Sequence, residues 1–593
     1  MSNAALVVGP LLRYVDTTRA TVWVETDQPC EVEVLGCTAR TWTVHGHHFA
    51  LVIIEGLQPG SQTPYTVRLN SNQVWPEPDS RFPPSVMRTF RDDETFRLAF
   101  GSCRRSAPFD DDGLKRFGAD ALAALAERMA TAPYEEWPDA MFLGGDQVYA
   151  DTPSDALAAR LAVAHENLPE SWDEVRKEIG NFEEYTWLYA DSWTPEPIRW
   201  LFSTVQTCML LDDHDLRDDW NTSQQWRDWI TAEPWWPDRV RGAFGSYWIY
   251  QHLGNLSPAE LENDSTWAMV RSDISDAERS AKLDAFAWRS DSEPDSARWS
   301  FHRDFGNEHL GIRMLAVDAR CSRRLDPQDR GIVDHTERAW LEEKASTPAP
   351  GQNFDHLLVA TTLPFLMAQG IHHLEGWNEA VAGGAWGRRF KRVGEKIRRD
   401  VDLEHWAAFR SSFGIVVDML AKISRSEHTP ATILMLAGDV HCSYTARATL
   451  PGVDPQEPAI HQLTMSPFRN PLEKSIRVAN RAMKTRAVRW LTHRMAKSAG
   501  VADVDIDWEI DNGPWFENGV MTVVISGREA TLEVDHAYVD NGHQLLRRTA
   551  TLALTGPQQP PAPRRLGRVR KPRRRKGSTS VTSDTSRALP DSL

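Results

Sequence analysis

Ala140-Met-Phe-Leu-Gly144-Gly145-Asp146-Gln147-Val148-Tyr149-Ala150-Asp151 runs from four apolar or small residues into two glycines and then into side chains that ligate metals. A short apolar run stopped by turn residues suits a strand buried on both faces. The same shape recurs outward along the chain. Phe96-Arg-Leu-Ala-Phe stops at Gly101-Ser102-Cys103-Arg104-Arg105, and Val205-Gln-Thr-Cys-Met-Leu-Leu stops at Asp212-Asp213-His214-Asp215. Ile312-Arg-Met-Leu-Ala-Val stops at Asp318-Ala319-Arg320, and His356-Leu-Leu-Val-Ala stops at Thr361-Thr362-Leu363-Pro364. Thr432-Ile-Leu-Met-Leu-Ala stops at Gly438-Asp439-Val440-His441. In open α/β sheets a ligand sits beyond the carboxyl ends of the strands. The pattern therefore predicts an α/β fold with one site at the strand ends.

The residues delivered there are Cys, Asp, Tyr and His, and any one Asp could simply cap a helix. Clustered carboxylates repel one another unless cations neutralise them. Carboxylate and phenolate oxygens with an imidazole and a thiolate suit a divalent or trivalent ion. Two ions bridged by one acid would lower the pKa of a bound water and hold phosphate oxygens. Arg104, Arg105 and Arg320 stand at strand ends, where each could clamp a phosphate or serve an ordinary ion pair.

The flanks differ. Residues 1–92 read as a small all-β sandwich, with β-rich runs such as Ala20-Thr-Val-Trp-Val-Glu and Ala50-Leu-Val-Ile-Ile separated by turns. Gly56-Leu-Gln-Pro-Gly-Ser-Gln-Thr-Pro-Tyr65 resembles the turn-plus-tyrosine of fibronectin-III-like modules, and Pro76 to Pro84 reads as the linker out of that domain. Residues 93–555 mix strands and helices, and 556–593 form a Pro- and Arg-rich tail, expected to be disordered. Nine cations between Arg564 and Lys576 make that tail a candidate contact for anionic lipid or nucleic acid, or a merely solvated end.

Composition sets limits. The chain has 593 residues and a net charge of −16, so the body repels phosphate backbones and no specific nucleic-acid partner is expected. The first residues lack a basic n-region, and no stretch reaches the ~18 consecutive apolar residues of a membrane span, which predicts a cytoplasmic location. Six cysteines are then expected as reduced thiols. Of the 24 tryptophans, Trp220, Trp226, Trp229, Trp235 and Trp236 cluster after the Asp-Asp-His block, where packing is the expected role and an aromatic wall over the site the alternative. Pro471 to Gly500 interleaves basic and apolar residues and is expected to dock beside the acidic body rather than lie on a membrane.

Gly101-Ser102-Cys103, Gly145-Asp146-Gln147-Val148-Tyr149, Asp212-Asp213-His214-Asp215 and Gly438-Asp439-Val440-His441, in this order, resemble the blocks of PhoD-type alkaline phosphatases, within the calcineurin-like metallophosphoesterases. The likeness covers roughly residues 95 to 530. It implies a four-layer α/β/β/α sandwich behind the β-sandwich and a metal-dependent phosphoric ester hydrolase acting on monoesters or diesters. It also implies the metal ligands Cys103, Asp146, Tyr149, Asp213, Asp439 and His441, with Asp146 bridging and His214 near the leaving group. A phenolate with a thiolate favours ferric iron, and the acidic surroundings favour calcium, so Fe3+ and Ca2+ are expected, with Mn2+ or Zn2+ as alternatives.

The sequence departs from the family pattern at three points. Asp218 and Asp219 stand where asparagines are usual, no histidine matches the superfamily's middle ligand at Thr361-Thr362, and an export signal is missing. His372 and His373 are candidates for substrate contact or for an ordinary surface turn. The rival reading is a catalytically weak phosphate- or polyanion-binding protein of the same fold.

Overall fold

The computed structural model describes residues 3–90, 95–293, 296–307, 310–346, 354–454, 458–472 and 474–556. The basic tail lies outside the described residues.

Two antiparallel four-stranded sheets make up most of the N-terminal β region. One runs in the order Leu6–Val15, Ala20–Thr26, His47–Ile54, Trp42–Val44, and the other Cys37–Arg40, Glu31–Val34, Val67–Leu69, Asn72–Trp75. The Pro76 to Pro84 stretch does not leave this region: the strand after it, Val86–Arg88, pairs back with Gln62–Pro64. Tyr65 is buried, but its hydroxyl donates to the carbonyl of Ser203, far along the chain, at 2.5 Å. The tyrosine therefore ties the β region to its neighbour instead of closing a turn of its own.

The larger part holds two mixed sheets. The first runs Gln206–Leu210, Ala140–Gly144, Phe96–Gly101, Gly519–Ser526, Glu529–Asp540, His543–Ala553. Its first three strands are parallel. The second runs Phe301–Asn307, Leu310–Val317, His356–Thr361, Thr432–Ala437, Ala459–Thr464, Ser443–Thr449, Asp507–Trp515, with four adjacent parallel strands at its centre. Parallel pairing requires crossovers, and helices such as Ala121–Thr131, Phe182–Trp193 and Arg410–Ile423 supply them.

The two-residue period of a strand explains the layering. Ala140 and Phe142 point into a core shared with Leu358, Ala360, Leu434 and Leu436 of the other sheet. Their neighbours Met141 and Leu143 point the other way, into a core with Leu122, Leu125 and Leu201 of the helices. Leu357 and Val359 likewise face Phe413, Val417 and Leu420 of the helix outside the second sheet. Strands buried on both faces read as continuous apolar runs, and each buried Leu or Phe contributes about 1.5–3 kcal/mol. The result is helix, sheet, sheet, helix.

The β region is not a detached module: together with the larger part, as far as Gly556, it forms one compact unit. Arg13 is fully buried and donates to the carbonyls of Thr207, Tyr250 and Gln251 and to Asn255 Oδ1. Trp23 packs on Tyr250 and Trp42 on Trp248.

Packing is also the role of most of the clustered tryptophans, since Trp220, Trp226, Trp235 and Trp236 are buried and only Trp229 among the five is exposed. All six cysteines are free. The basic stretch forms two helices, Lys474–Met483 and Arg486–Ser498. The second of them docks as expected, with Ala496 packed on Trp377, Ala380 and Val381 and Lys497 paired with Asp503 at 2.8 Å, while Ile476, Val478, Trp490 and Leu491 are left exposed. Among the described residues, no helix is long and apolar enough to cross a membrane.

Candidate metal centre

In-register parallel pairing brings the carboxyl ends of the strands to one edge, with Gly101 opposite Leu143 and Gly144 opposite Leu210 in the first sheet. In the second, Val317 pairs with Thr361. The chain then turns sharply. Twelve non-glycine residues adopt positive φ among the described residues, and Cys103, Asp146, Asp439 and His441 are four of them. Such a conformation costs roughly 1–2 kcal/mol at a non-glycine residue and persists only where surrounding contacts enforce it. The contacts here are specific. Cys103 N donates to the Gly145 carbonyl at 3.1 Å, and Asp439 N donates to Ser102 Oγ at 2.9 Å. Asp215 Oδ2 accepts from the main-chain nitrogens of both Asp146 and Asp212, stapling two loops together. A Cβ on Gly438 would stand 2.1 Å from Ser102 Oγ, so glycine is required for the loops to approach.

Two groups of ligand atoms result, each gathered within 4.8 Å: Cys103, Asp146 and His441 in one, Asp146, Asp213 and Asp439 in the other. Asp146 belongs to both. Its Oδ2 lies 3.3 Å from Cys103 Sγ and accepts from the Tyr149 hydroxyl at 3.2 Å, whereas its Oδ1 is buried with no hydrogen-bond partner. Asn470 Nδ2 donates to the Tyr149 oxygen at 3.0 Å and lies 3.3 Å from His441 Nε2, so one amide steadies two candidate ligands.

Burial dominates the electrostatics. It pushes the Asp146 carboxyl up to about 6, and the Cys103 thiol and Tyr149 phenol well above their ordinary values, with neighbouring negative charge adding to the rise. It lowers His441 to about 4, favouring the neutral imidazole that ligates metals. An enclosed carboxyl, thiol and phenol that resist ionising, as Asp146, Cys103 and Tyr149 do, are stabilised in their charged forms by a cation. The donor set and the orphaned Asp146 oxygen therefore fit metal ions.

The remaining predicted residues fall in different places. His214 is at the site: its Nδ1 is 2.8 and 3.0 Å from the Asp151 oxygens, and its ring lies 4.6 Å from that of Tyr149. Burial pulls the His214 pKa down, but Asp151 and Asp146 outweigh it and hold it well above the usual imidazole range. Arg320 is at the site but fully enclosed. It sits 3.1 Å from Asp213 and 3.6 Å from Asp439, and also contacts Asp212 and Glu404. Arg104 is buried behind the site, paired with Asp120 at 2.9 Å and donating to the Ser192 carbonyl. Arg105 is half-buried with its guanidinium over the Phe117 ring. His372 and His373 line a separate cavity of about 990 Å³ that none of the candidate ligands borders.

Three groups escaped the sequence reading. His405 Nε2 lies 3.5 Å from Asp439 Oδ2, and its Nδ1 is 2.6 Å from Glu375 Oε1. Glu404 pairs with Arg320 and Arg323. Asp151, which carries His214, follows Tyr149 by two residues. Thr362, at the strand end where a histidine is missing, is buried, and its carbonyl accepts from Gly438 N.

Residues 3–87 match a domain of unknown function, DUF7800. No curated protein matches the chain. A solved structure titled "Structure of PhoD" is similar at a TM-score of 0.55 and 11% identity, covering 93% of this chain and 90% of that one, a likeness that speaks for the fold. Residues 119–509, more than half of the chain, match the PhoD-like phosphatase family, and the chain belongs to that family.

Proposed function

We propose that the protein hydrolyses phosphoric esters at the centre built around Asp146. The observation that carries this reading is the sharing of one buried carboxylate between two ligand groups, one of its oxygens having no protein partner. Family membership supports phosphoester hydrolysis.

In this reading Cys103, Asp146, Tyr149 and His441 would hold one ion, and Asp213 and Asp439, with Asp146, would hold a second. Thiolate and phenolate suit ferric iron, and the carboxylates suit calcium or another hard divalent ion. Bound ions supply Lewis-acid polarisation of phosphoryl oxygens and an acidified water. The chain's own residues do the rest. Arg320 balances four carboxylates and sets their spacing. Asp151 accepts from His214 Nδ1 and fixes the tautomer, leaving Nε2 to give its proton to the departing alkoxide. Both aryl monoesters and diesters are candidate substrates.

The test replaces Asp146 with Asn in protein purified without chelators. Metal content by elemental analysis and turnover of an aryl monoester and an aryl diester are expected to fall together, turnover by ~100-fold or more. Full metal content with undiminished turnover would remove Asp146 from the centre. Metal-replete native protein with no turnover of either ester would favour the polyanion-binding alternative.

A further inference from the structure

The stretch Lys474 to Ser498, which contains the helices Lys474–Met483 and Arg486–Ser498, carries eight lysines and arginines and not one acidic residue, in a chain of net charge −16. The second helix docks through Ala496, which packs with Trp377, Ala380 and Val381. Its other face is open: Trp490 is 59% exposed and Leu491 53%, and Arg494 lies over the Trp490 ring at 4.9 Å. On the preceding helix Val478 is 65% exposed.

A third helix, Arg388–Asp400, extends the rim. The indole of Trp386 donates to the Ser498 carbonyl at 3.2 Å, and its ring meets that of exposed Phe390 at 5.7 Å. Arg388, Arg389, Lys391 and Arg392 surround Phe390 in the sequence.

Exposed apolar side chains set among cations mark an interaction surface. Two features decide which. A cationic stripe on an acidic protein selects an anionic partner. Leucine and valine offer nothing to a sugar–phosphate backbone, but with tryptophan they enter the boundary between headgroups and acyl chains. We propose that this face docks on an anionic phospholipid bilayer, with Trp490 and Leu491 inserting and Arg486 and Arg494 meeting lipid phosphates. Asn470, which steadies Tyr149 and His441, stands four residues before the first helix, so the basic stretch follows the candidate centre directly in the sequence.

The experiment is flotation of the full chain with phosphatidylcholine vesicles, with and without phosphatidylglycerol. Binding is expected only with the anionic lipid and is expected to weaken as salt rises. Arg486→Gln with Arg494→Gln should weaken it about thirtyfold, since each basic residue near an anionic surface is worth about 1 kcal/mol. Trp490→Ala with Leu491→Ala leaves every cation in place and should weaken it by about tenfold or more. These side chains are exposed, so thermal midpoints should hold. If the arginine pair fails to fold, the Trp490 and Leu491 pair carries the test. The proposal is overturned by absence of binding in the native chain, by loss with the arginine pair alone, by binding that neither pair changes, or by retention of an RNA probe in place of vesicles.

Discussion

His214 is held by Asp151 through one ring nitrogen, and that contact ties its charge to its position. The sign of the coupling is fixed. Burial favours the neutral imidazole, but the Asp151 carboxylate favours the imidazolium and raises the His214 pKa, while His214 in turn draws Asp151 down to about 2. Asp151→Asn removes the charge but keeps a similar shape, so the His214 pKa falls. If His214 donates its proton to the leaving group, activity is lost as pH rises through that pKa, and the alkaline limb of kcat/KM should move to lower pH in the variant, with little change in metal content. A limb that stays in place would take the proton-donor role from His214. Asp151 was within sight of the sequence reading, because it ends the same apolar-to-polar stretch as Asp146 and Tyr149. Glu404 and His405 were not, because they lie in a loop between the helices Arg388–Asp400 and Arg410–Ile423, with no apolar run to announce them. Only the folding of that loop over the strand ends carries His405 to 3.5 Å from Asp439.

At the level of elements, buried parallel strands leave a simple trace. Leu357 and Val359 enter one core while Leu358 and Ala360 enter another, so the run His356–Thr361 is apolar at every other residue on each face and at nearly all positions in sum. That is why the strand ends, and with them Cys103, Asp146, Asp213, Asp439 and His441, were legible. Side chains whose role depends on long-range packing were less so. Arg104 and Arg320 look alike in sequence, both following a strand, yet one turns to Asp120 behind the site and the other is enclosed among the acids. The two-faced burial also sets a cost. Leu358 is fully buried between the sheets, and Leu358→Ala should lower unfolding free energy by about 2–5 kcal/mol in a urea titration. A loss below about 1 kcal/mol would mean the space between the sheets collapses or is not closed by this residue.

Across the whole molecule, the question is what the N-terminal β region does for a centre it does not touch. Domains joined by modest polar interfaces move relative to one another, whereas large apolar ones do not. This junction is of the second kind. Trp23, Trp42 and Phe49 share a continuous core with Trp248 and Tyr250, and Arg13 crosses it to the carbonyl of Thr207. Thr207 lies in the strand Gln206–Leu210 that leads to Asp212 and Asp213. The β region therefore braces the strand that presents one of the candidate ligands. Arg13→Met would keep the volume but take the guanidinium donor from the buried carbonyls of Tyr250 and Gln251, at a cost of about 2–6 kcal/mol. Because the core is continuous, that loss should appear as a shift of one cooperative transition, followed alike by circular dichroism and tryptophan emission, with hydrolytic activity disappearing over the same range of denaturant. An earlier, separate transition of the β region with the activity intact would show that the brace is dispensable.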